Sequence, residues 1–384
     1  MECYLDNSAT TRAFDDVADA VRRAMLVDYG NPSSLHKKGV EAERLVKEAR
    51  RNIADSLKVD DREIIFTSGG TESNNLALIG TALAMQRRGK HIITSGIEHA
   101  SVYNPLLFLE EMGFEVTFLP VDGHGLVDPE ALAAAVRRDT ILVSVMMVNN
   151  EMGAVEPVSE LSRAAKAKNP GVIFHADAIQ AYGKYRIRPR REGIDLLTVS
   201  GHKIHGPKGS GFIYIRNGVR VHPLILGGGQ QKDMRSGTEN VPGCYGLGIA
   251  AKEIYTGFDG RIDRMYALRN RLIEGLADLP GVTVNGYPDR RNAPHIVSAG
   301  FDGVRAEVLL HALEDRGICV SSGSACSSNH PGISGTLKAI GVRGELLDST
   351  IRFSFGEFNT ADEVDYTLEQ LRELLPMLRQ FRRH

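Results

Sequence analysis

Leu196-Leu197-Thr198-Val199-Ser200-Gly201-His202-Lys203-Ile204-His205-Gly206-Pro207-Lys208-Gly209 carries an apolar run straight into a lysine held between two histidines and flanked by glycine turns. The run does not alternate polar with apolar, which suits a strand covered on both faces. Further candidate strands lie upstream at Ile64–Thr67, His91–Ser95, Glu115–Leu119, Thr140–Val148 and Val172–Ala176, and downstream at Gly211–Ile215, several of them continuous apolar runs as well. Between these runs lie helix-like segments such as Glu72–Arg88, Asp128–Arg138 and Val158–Lys168. Strand and helix in alternation predict an α/β architecture with a mostly parallel, seven-stranded sheet.

After about Ile254 the pattern changes. Asp263–Ala277 has helical apolar spacing, and short strands follow at Val282–Asn285 and Ile296–Gly300. A helix at Ala306–Arg316, a strand at Ile351–Phe355 and a terminal helix at Ala361–Leu378 complete a smaller α+β unit. A chain of 384 residues has room for one large and one small domain. The N-terminal segment with Phe14–Leu26 could join either part. The expected division is a large domain over residues 15–254 and a small one over residues 1–14 and 255–384.

Composition narrows the function classes. A net charge of −2 gives no general attraction to nucleic acid or anionic lipid. Met1-Glu2-Cys3-Tyr4-Leu5-Asp6 carries acids where a secretory leader needs a basic and then an apolar stretch. No apolar run approaches the roughly 20 residues of a membrane span. Cys3, Cys244, Cys319 and Cys326 are scattered without metal-ligand spacing, so they read as thiols in a reducing compartment and no metal site is expected. A soluble cytoplasmic protein is the expectation.

Three stretches point to a cofactor. Phe66-Thr67-Ser68-Gly69-Gly70-Thr71-Glu72-Ser73-Asn74-Asn75 passes from a strand through glycines into a helix, where bare N–H groups and the helix dipole suit a phosphate. An ordinary strand–helix loop would read the same way, but no Gly-Lys-Ser/Thr follows to make a nucleotide loop. His175-Ala176-Asp177-Ala178-Ile179-Gln180 puts a carboxylate at the end of a buried strand, where it can cap the turn or face a ligand. Lys203 follows a third such strand, and a lysine that forms a Schiff base must be held near a carbonyl and kept partly neutral. Together the three fit an aldehyde cofactor with a pyridinium partner and a phosphate site.

The chain resembles the class V group of fold-type I pyridoxal-phosphate enzymes, specifically the NifS/IscS-type cysteine desulfurases. The resemblance runs from Tyr4-Leu5-Asp6-Asn7-Ser8-Ala9-Thr10-Thr11 to the terminal helix. It includes Gly30-Asn31-Pro32-Ser33-Ser34, Glu98-His99, Val148-Asn149-Asn150-Glu151, Gly227-Gly228-Gly229-Gln230 and Arg235-Ser236-Gly237-Thr238. It implies pyridoxal 5′-phosphate on Lys203, with Asp177 at the pyridine nitrogen and His99 against the ring face. Gln180 and Asn150 are implied at the ring hydroxyl and the substrate side, and Gly70, Thr71, Ser200 and His202 at the phosphate. Asn31 is implied near the substrate. Thr238 is implied to reach the phosphate of a neighbouring subunit, which makes a homodimer the expected state.

Ser321-Ser322-Gly323-Ser324-Ala325-Cys326-Ser327-Ser328 is small and polar, and its one reactive side chain is a thiol. Free cysteine is often a buried small hydrophobe. Cys319 fits that role between Ile318 and Val320, whereas Cys326 has nothing apolar of any size beside it. The stretch is similar to the longer persulfide-carrying loop of group I desulfurases, which implies that Cys326 takes sulfur from L-cysteine and passes it to an iron–sulfur scaffold or a tRNA-thiolation enzyme. Arg352, in a strand that otherwise reads as buried, suits a bidentate clamp on the substrate carboxylate. A structural salt bridge is the alternative. Selenocysteine lyase, class V aminotransferase and a non-catalytic sulfur-relay subunit remain rival readings. Two departures bear on partners: Gln231-Lys232 stands where the family usually has Glu-Arg, and Phe381-Arg382-Arg383-His384 ends the chain short of members whose extension docks a scaffold.

Overall fold

The computed structural model describes residues 1–322 and 334–380. Numbered along the chain, its strands are β1 (Cys3–Tyr4), β2 (Ile64–Thr67), β3 (His91–Ser95), β4 (Glu115–Leu119), β5 (Thr140–Met146), β6 (Ile173–Asp177), β7 (Leu196–Ser200), β8 (Gly211–Ile215), β9 (Val282–Asn285), β10 (Ile296–Phe301), β11 (Ile318–Cys319), β12 (Ser321–Ser322) and β13 (Thr350–Ser354).

Runs of apolar residues without alternation demand cover on both faces, and β2, β3, β5 and β7 are buried at every position. They belong to one seven-stranded sheet in the order β2-β8-β7-β6-β5-β3-β4. Strand β8 runs antiparallel to both of its neighbours, and the remaining pairs are parallel. The parallel strands β5, β6 and β7 therefore end at one edge, delivering Met146, Asp177 and Ser200 side by side. That edge is where an open α/β sheet offers a crevice.

Helices cover this sheet. Asp15–Leu26 and the 21-residue Lys37–Leu57 pack on Val241–Glu253. The approach is close at Gly248, where a Cβ would lie 2.3 Å from the Ala49 Cα. The helix expected over Glu72–Arg88 is a continuous helical run from Gly70 to Met85 with a π-helical stretch at Leu76–Gly80. The one expected over Asp128–Arg138 is shorter, Pro129–Ala135, with the Asp128 side chain accepting from Glu130 N at 2.9 Å.

A second sheet, β12-β13-β10-β9, is antiparallel and packs against the helices Phe258–Ala277 and Ala361–Arg379. The N-terminus serves both parts. Strand β1 pairs in parallel with β11, while Asp15–Leu26 lies on the large sheet's helices. The described residues form four apolar clusters, and the two largest fall one in each part. One contains Val17, Ala49, Val143, Phe174 and Val199, the other Cys3, Leu5, Leu272, Phe301, Phe353 and Leu371.

Gln231 turns inward. It is 7% exposed, and its Oε1 accepts from the backbone N–H of Phe66 on the edge strand β2 at 3.0 Å and from Arg50 at 3.1 Å. Lys232 donates to the Arg62 carbonyl at 2.9 Å. The first departure from the family pattern thus seals a sheet edge that would otherwise offer a free N–H.

Candidate active site

The sheet edge and the N-terminal segment enclose a cavity of about 250 Å³, lined among others by Gly70, Thr71, His99, Asn150, Asp177, Gln180, Ser200, His202 and Lys203. Of the residues singled out from the sequence, these nine meet in one place. Thr238 and Asn31 are exposed and outside this wall, Asn31 closing a local turn by accepting from Ser33 N at 3.0 Å. Arg352 stands behind Asn150, donating through Nη1 to the Asn150 carbonyl at 2.8 Å. Cys326 lies outside the described residues, as does the rest of 323–333.

Lys203 ends a single 3₁₀ turn that follows β7. Its Nζ donates to the carbonyls of Ser8 at 2.5 Å and Ala9 at 2.6 Å, so the N-terminal segment holds the amine at the cavity wall. The same segment is laced to the lysine turn by Thr11, which donates to the His202 carbonyl and accepts from His205 N. Burial, together with the nearby cations Lys203 and Lys208, pushes His202 down to about 4, so its ring enters as a neutral donor or acceptor.

Asp177 closes the far side. Its two oxygens accept from Asn74 Nδ2 at 2.8 Å and Ile179 N at 2.9 Å. Burial still holds its carboxyl above the usual carboxylate range, so the site favours a cation placed against it. Asn74 is oriented by a buried chain. Thr198 Oγ1 donates to Asn74 Oδ1 at 2.6 Å and therefore accepts from His175 Nε2 at 3.3 Å, while His175 Nδ1 faces Ser144 Oγ at 2.8 Å. Burial holds His175 at about 3, which keeps the ring neutral along this chain.

His99 caps the helix Ala100–Glu111. Its Nδ1 accepts from Ser101 N at 3.1 Å and faces Ser101 Oγ at 2.8 Å. That hydroxyl already accepts from Asn74 at 2.9 Å, so its proton goes to the imidazole and Nε2 carries the ring's own hydrogen. Burial lowers the His99 pKa and favours the neutral ring.

At the opposite end, the turn Ser68–Gly70 opens the helical run. Gly69 has φ +153°, and a Cβ on Gly70 would lie 2.3 Å from Ile179 Cδ1. Bare backbone here leaves room for a phosphate at a helix N-terminus. Ser8 Oγ, on the cavity wall, is buried without a hydrogen-bond partner among the described residues.

Asn74, Thr198, His175, Ser144 and Ser8 were not singled out individually from the sequence. For Ser144, His175 and Thr198 the signal is polarity at buried positions of neighbouring strands, where Ser144 faces His175 and Asp177 faces Thr198.

The chain matches the family described as aminotransferase class-V over residues 3–367. It is 44% identical over 376 residues to "Cysteine desulfurase IscS" of Methanosarcina thermophila, covering 98% of this chain and 92% of that one. The Dictyoglomus turgidum protein of the same name is also 44% identical, with 98% and 95% covered. Among solved structures, a "NIFS-LIKE PROTEIN" superposes with a TM-score of 0.93 at 38% identity, covering 98% of this chain and all of that one. The chain belongs to the class-V aminotransferase family of pyridoxal-phosphate enzymes. Within it, the relatives place the chain among the NifS/IscS-type cysteine desulfurases. The cavity fits pyridoxal 5′-phosphate: an amine, a carboxyl favouring a cation, a flat-faced imidazole and an open helix N-terminus surround one volume.

Proposed function

We propose that the protein removes sulfur from L-cysteine with Lys203 holding the cofactor, and that Cys326 receives the sulfur. The observation that carries this reading is the convergence of Lys203, Asp177 and His99 with the Ser68–Gly70 turn around one cavity. When bound, pyridoxal phosphate supplies a carbonyl for the substrate amine and a ring that takes up the electron pair left at Cα.

The chain's own residues do the rest. Gly70, Thr71, Ser200 and His202 would hold the phosphate, Asp177 the pyridine N–H, His99 the ring face and Gln180 the ring hydroxyl. Lys203 Nζ moves the proton at the substrate Cα. Asn150 and Arg352 hold the substrate carboxylate. The Cys326 thiolate attacks the substrate sulfur. A sulfur–sulfur bond forms while the sulfur–Cβ bond breaks and leaves its electron pair with the carbon side, Cβ takes up a proton, and the products are a persulfide on Cys326 and L-alanine.

Delivery to a sulfur-acceptor protein completes the reading, and an iron–sulfur scaffold or a tRNA-thiolation enzyme fits that role. The two largest apolar clusters support a domain division at 15–254 against 1–14 and 255–384, with Phe14, Ala293 and Ile296 of the smaller part packing into the larger part's cluster. A homodimer is supported by the exposed Thr238 and by an apolar groove formed by Val17, Val21, Met25, Leu26 and Pro207, which a second copy would cover. Among the described residues no helix is long and apolar enough to cross a membrane, and a cytoplasmic setting suits the free thiols.

Purified protein mixed with pyridoxal phosphate, L-cysteine and a reductant should release sulfide and alanine in equal amounts. Cys326→Ala should keep the cofactor's colour and its change on adding cysteine, yet release no sulfide. Sulfide release by that variant at the wild-type rate would place the acceptor thiol elsewhere.

A further inference from the structure

His295 reaches the cavity's polar wall from the turn leading into β10. It is 2% exposed and its side chain bonds from Nε2 to Gln180 Oε1 at 3.2 Å, while Nδ1 is buried with no partner among the described residues. The direction of that bond follows from atoms whose roles cannot change. The Ser8 carbonyl only accepts, so the Gln180 atom facing it at 3.0 Å is the amide nitrogen. This turns the Gln180 oxygen toward His295, and that oxygen also only accepts. The imidazole proton therefore sits on Nε2. Burial, reinforced by Lys184, Arg352 and Lys203, holds the ring well below the ordinary histidine range, so it stays neutral with Nδ1 bare.

Gln180 is thus pinned at both ends, and it lines the cavity. One of its two N–H groups goes to Ser8 and the other is left for a ligand. The Ser8 carbonyl is shared with Lys203 Nζ, so it alone does not fix the carboxamide plane. We propose that His295 is a positioning residue, which locks the Gln180 carboxamide so that its spare N–H is presented to the ring hydroxyl of pyridoxal phosphate. The inference rests on the cofactor reading above. It adds a residue from the turn before the second sheet's β10 that acts on the cofactor only through Gln180.

The test is equilibrium titration of the cofactor-free protein with pyridoxal phosphate and with its analogue lacking the ring hydroxyl. His295→Leu keeps the bulk and removes the donor. It should bind pyridoxal phosphate about tenfold more weakly, the loss of a single oriented hydrogen bond. The analogue should bind wild type and His295→Leu alike. His295→Gln, whose amide nitrogen reaches the place of Nε2, should restore most of the pyridoxal-phosphate affinity.

Equal weakening toward both ligands would make His295 a packing residue and overturn the proposal, as would no weakening at all. Wild-type protein that binds neither ligand overturns the cofactor reading and this inference with it. A measurement on wild type alone guards against a variant that does not fold. Nitrogen-15 NMR of histidine-labelled protein, with His295→Gln identifying the resonance, should show a neutral ring protonated at Nε2. A proton on Nδ1 would overturn the proposal.

Discussion

Asp177 and Glu98 are buried carboxyls served by the ends of neighbouring strands, and they resolve burial in different ways. Asp177 takes two N–H bonds and faces the cavity, where a cation can join it. Glu98 accepts from Ser95 Oγ at 2.6 Å and Met146 N at 2.9 Å, but its Oε2 has no partner among the described residues. Burial, aided by the charges of Asp177 and Glu156, pushes Glu98 up from 4.5 to about 8. The folded chain therefore keeps a proton that the unfolded chain loses above pH 4.5. Stability from this residue is complete below that point and falls by about 1.4 kcal/mol per pH unit until the folded group ionises near pH 8. Glu156, pushed up to about 8 by burial, adds a parallel loss. Glu98→Gln should remove only the first share, so the fall in melting temperature from pH 5 to pH 8 should shrink. An undiminished fall would mean that Glu98 is ionised in the fold. Arg352 poses a second question at this scale. Its Nη2 pairs with Asp6 at 2.9 Å, and its Nε is buried without a partner among the described residues. The salt bridge left open by the sequence is therefore present, and the unused N–H is what a substrate carboxylate would take. Arg352→Lys keeps a charge for Asp6 but loses the planar fork. The Michaelis constant for cysteine should rise about tenfold or more while cofactor binding stays near wild type. The reverse pattern would make Arg352 purely structural.

At the scale of elements, legibility follows how sharply each apolar run is interrupted. Ile64–Thr67, His91–Ser95, Glu115–Leu119, Leu196–Ser200 and Gly211–Ile215 could be bounded from the sequence because glycines, charges or helix starts interrupt each apolar run. Lys37–Leu57 was not picked out, since its many charges dilute the stripe formed by Ala42, Leu45, Val46, Ala49 and Ile53. Cys319 was expected to be buried and is only half so. Strand alternation points it away from the buried Ile318 and Val320. The network under Asp177 escaped because Ser144, His175 and Thr198 look like scattered polar residues until strand register aligns them. The Ser68–Gly70 turn offers a direct test of how strand end and helix start share space. A Cβ on Gly70 meets the flexible tip of Ile179, which lines the cavity, so Gly70→Ala should drive that tip inward rather than unfold the turn. Cofactor affinity should fall about tenfold, within the usual cost of overpacking. Adding Ile179→Val removes the clashing carbon and should recover most of the loss. A double variant no better than Gly70→Ala would move the cause to the backbone.

The whole molecule raises the question of where Thr238 acts. Nine cavity residues were legible from the sequence and assemble within one chain, yet Thr238 is exposed and outside that wall. Nearby, Arg235 is bound to Glu72 at 2.9 Å, so the Arg235-Ser236-Gly237-Thr238 segment is anchored beside the helical run that starts at Gly70. An exposed hydroxyl on an anchored segment can serve a partner's phosphate only if two chains meet there. Exposed Leu224, Ile225 and Leu226 on the approach to this segment supply apolar surface for such a contact. Thr238→Ala alone should weaken cofactor retention, because a hydrogen bond to a charged group contributes about 1.5–3 kcal/mol. That result alone cannot separate service within the chain from service across a dimer. Mixed dimers can. In a dimer of one Lys203→Ala chain and one Thr238→Ala chain, sharing across the interface leaves one site with both an intact Lys203 and an intact Thr238. Service within the chain leaves none. Unfolding and refolding the two variants together should therefore restore cofactor retention and cysteine turnover in a fraction of the dimers, above the level of either variant refolded alone. No gain on mixing, in protein shown by light scattering to be dimeric, would assign Thr238 to its own chain. A fully active monomer would remove the shared site altogether.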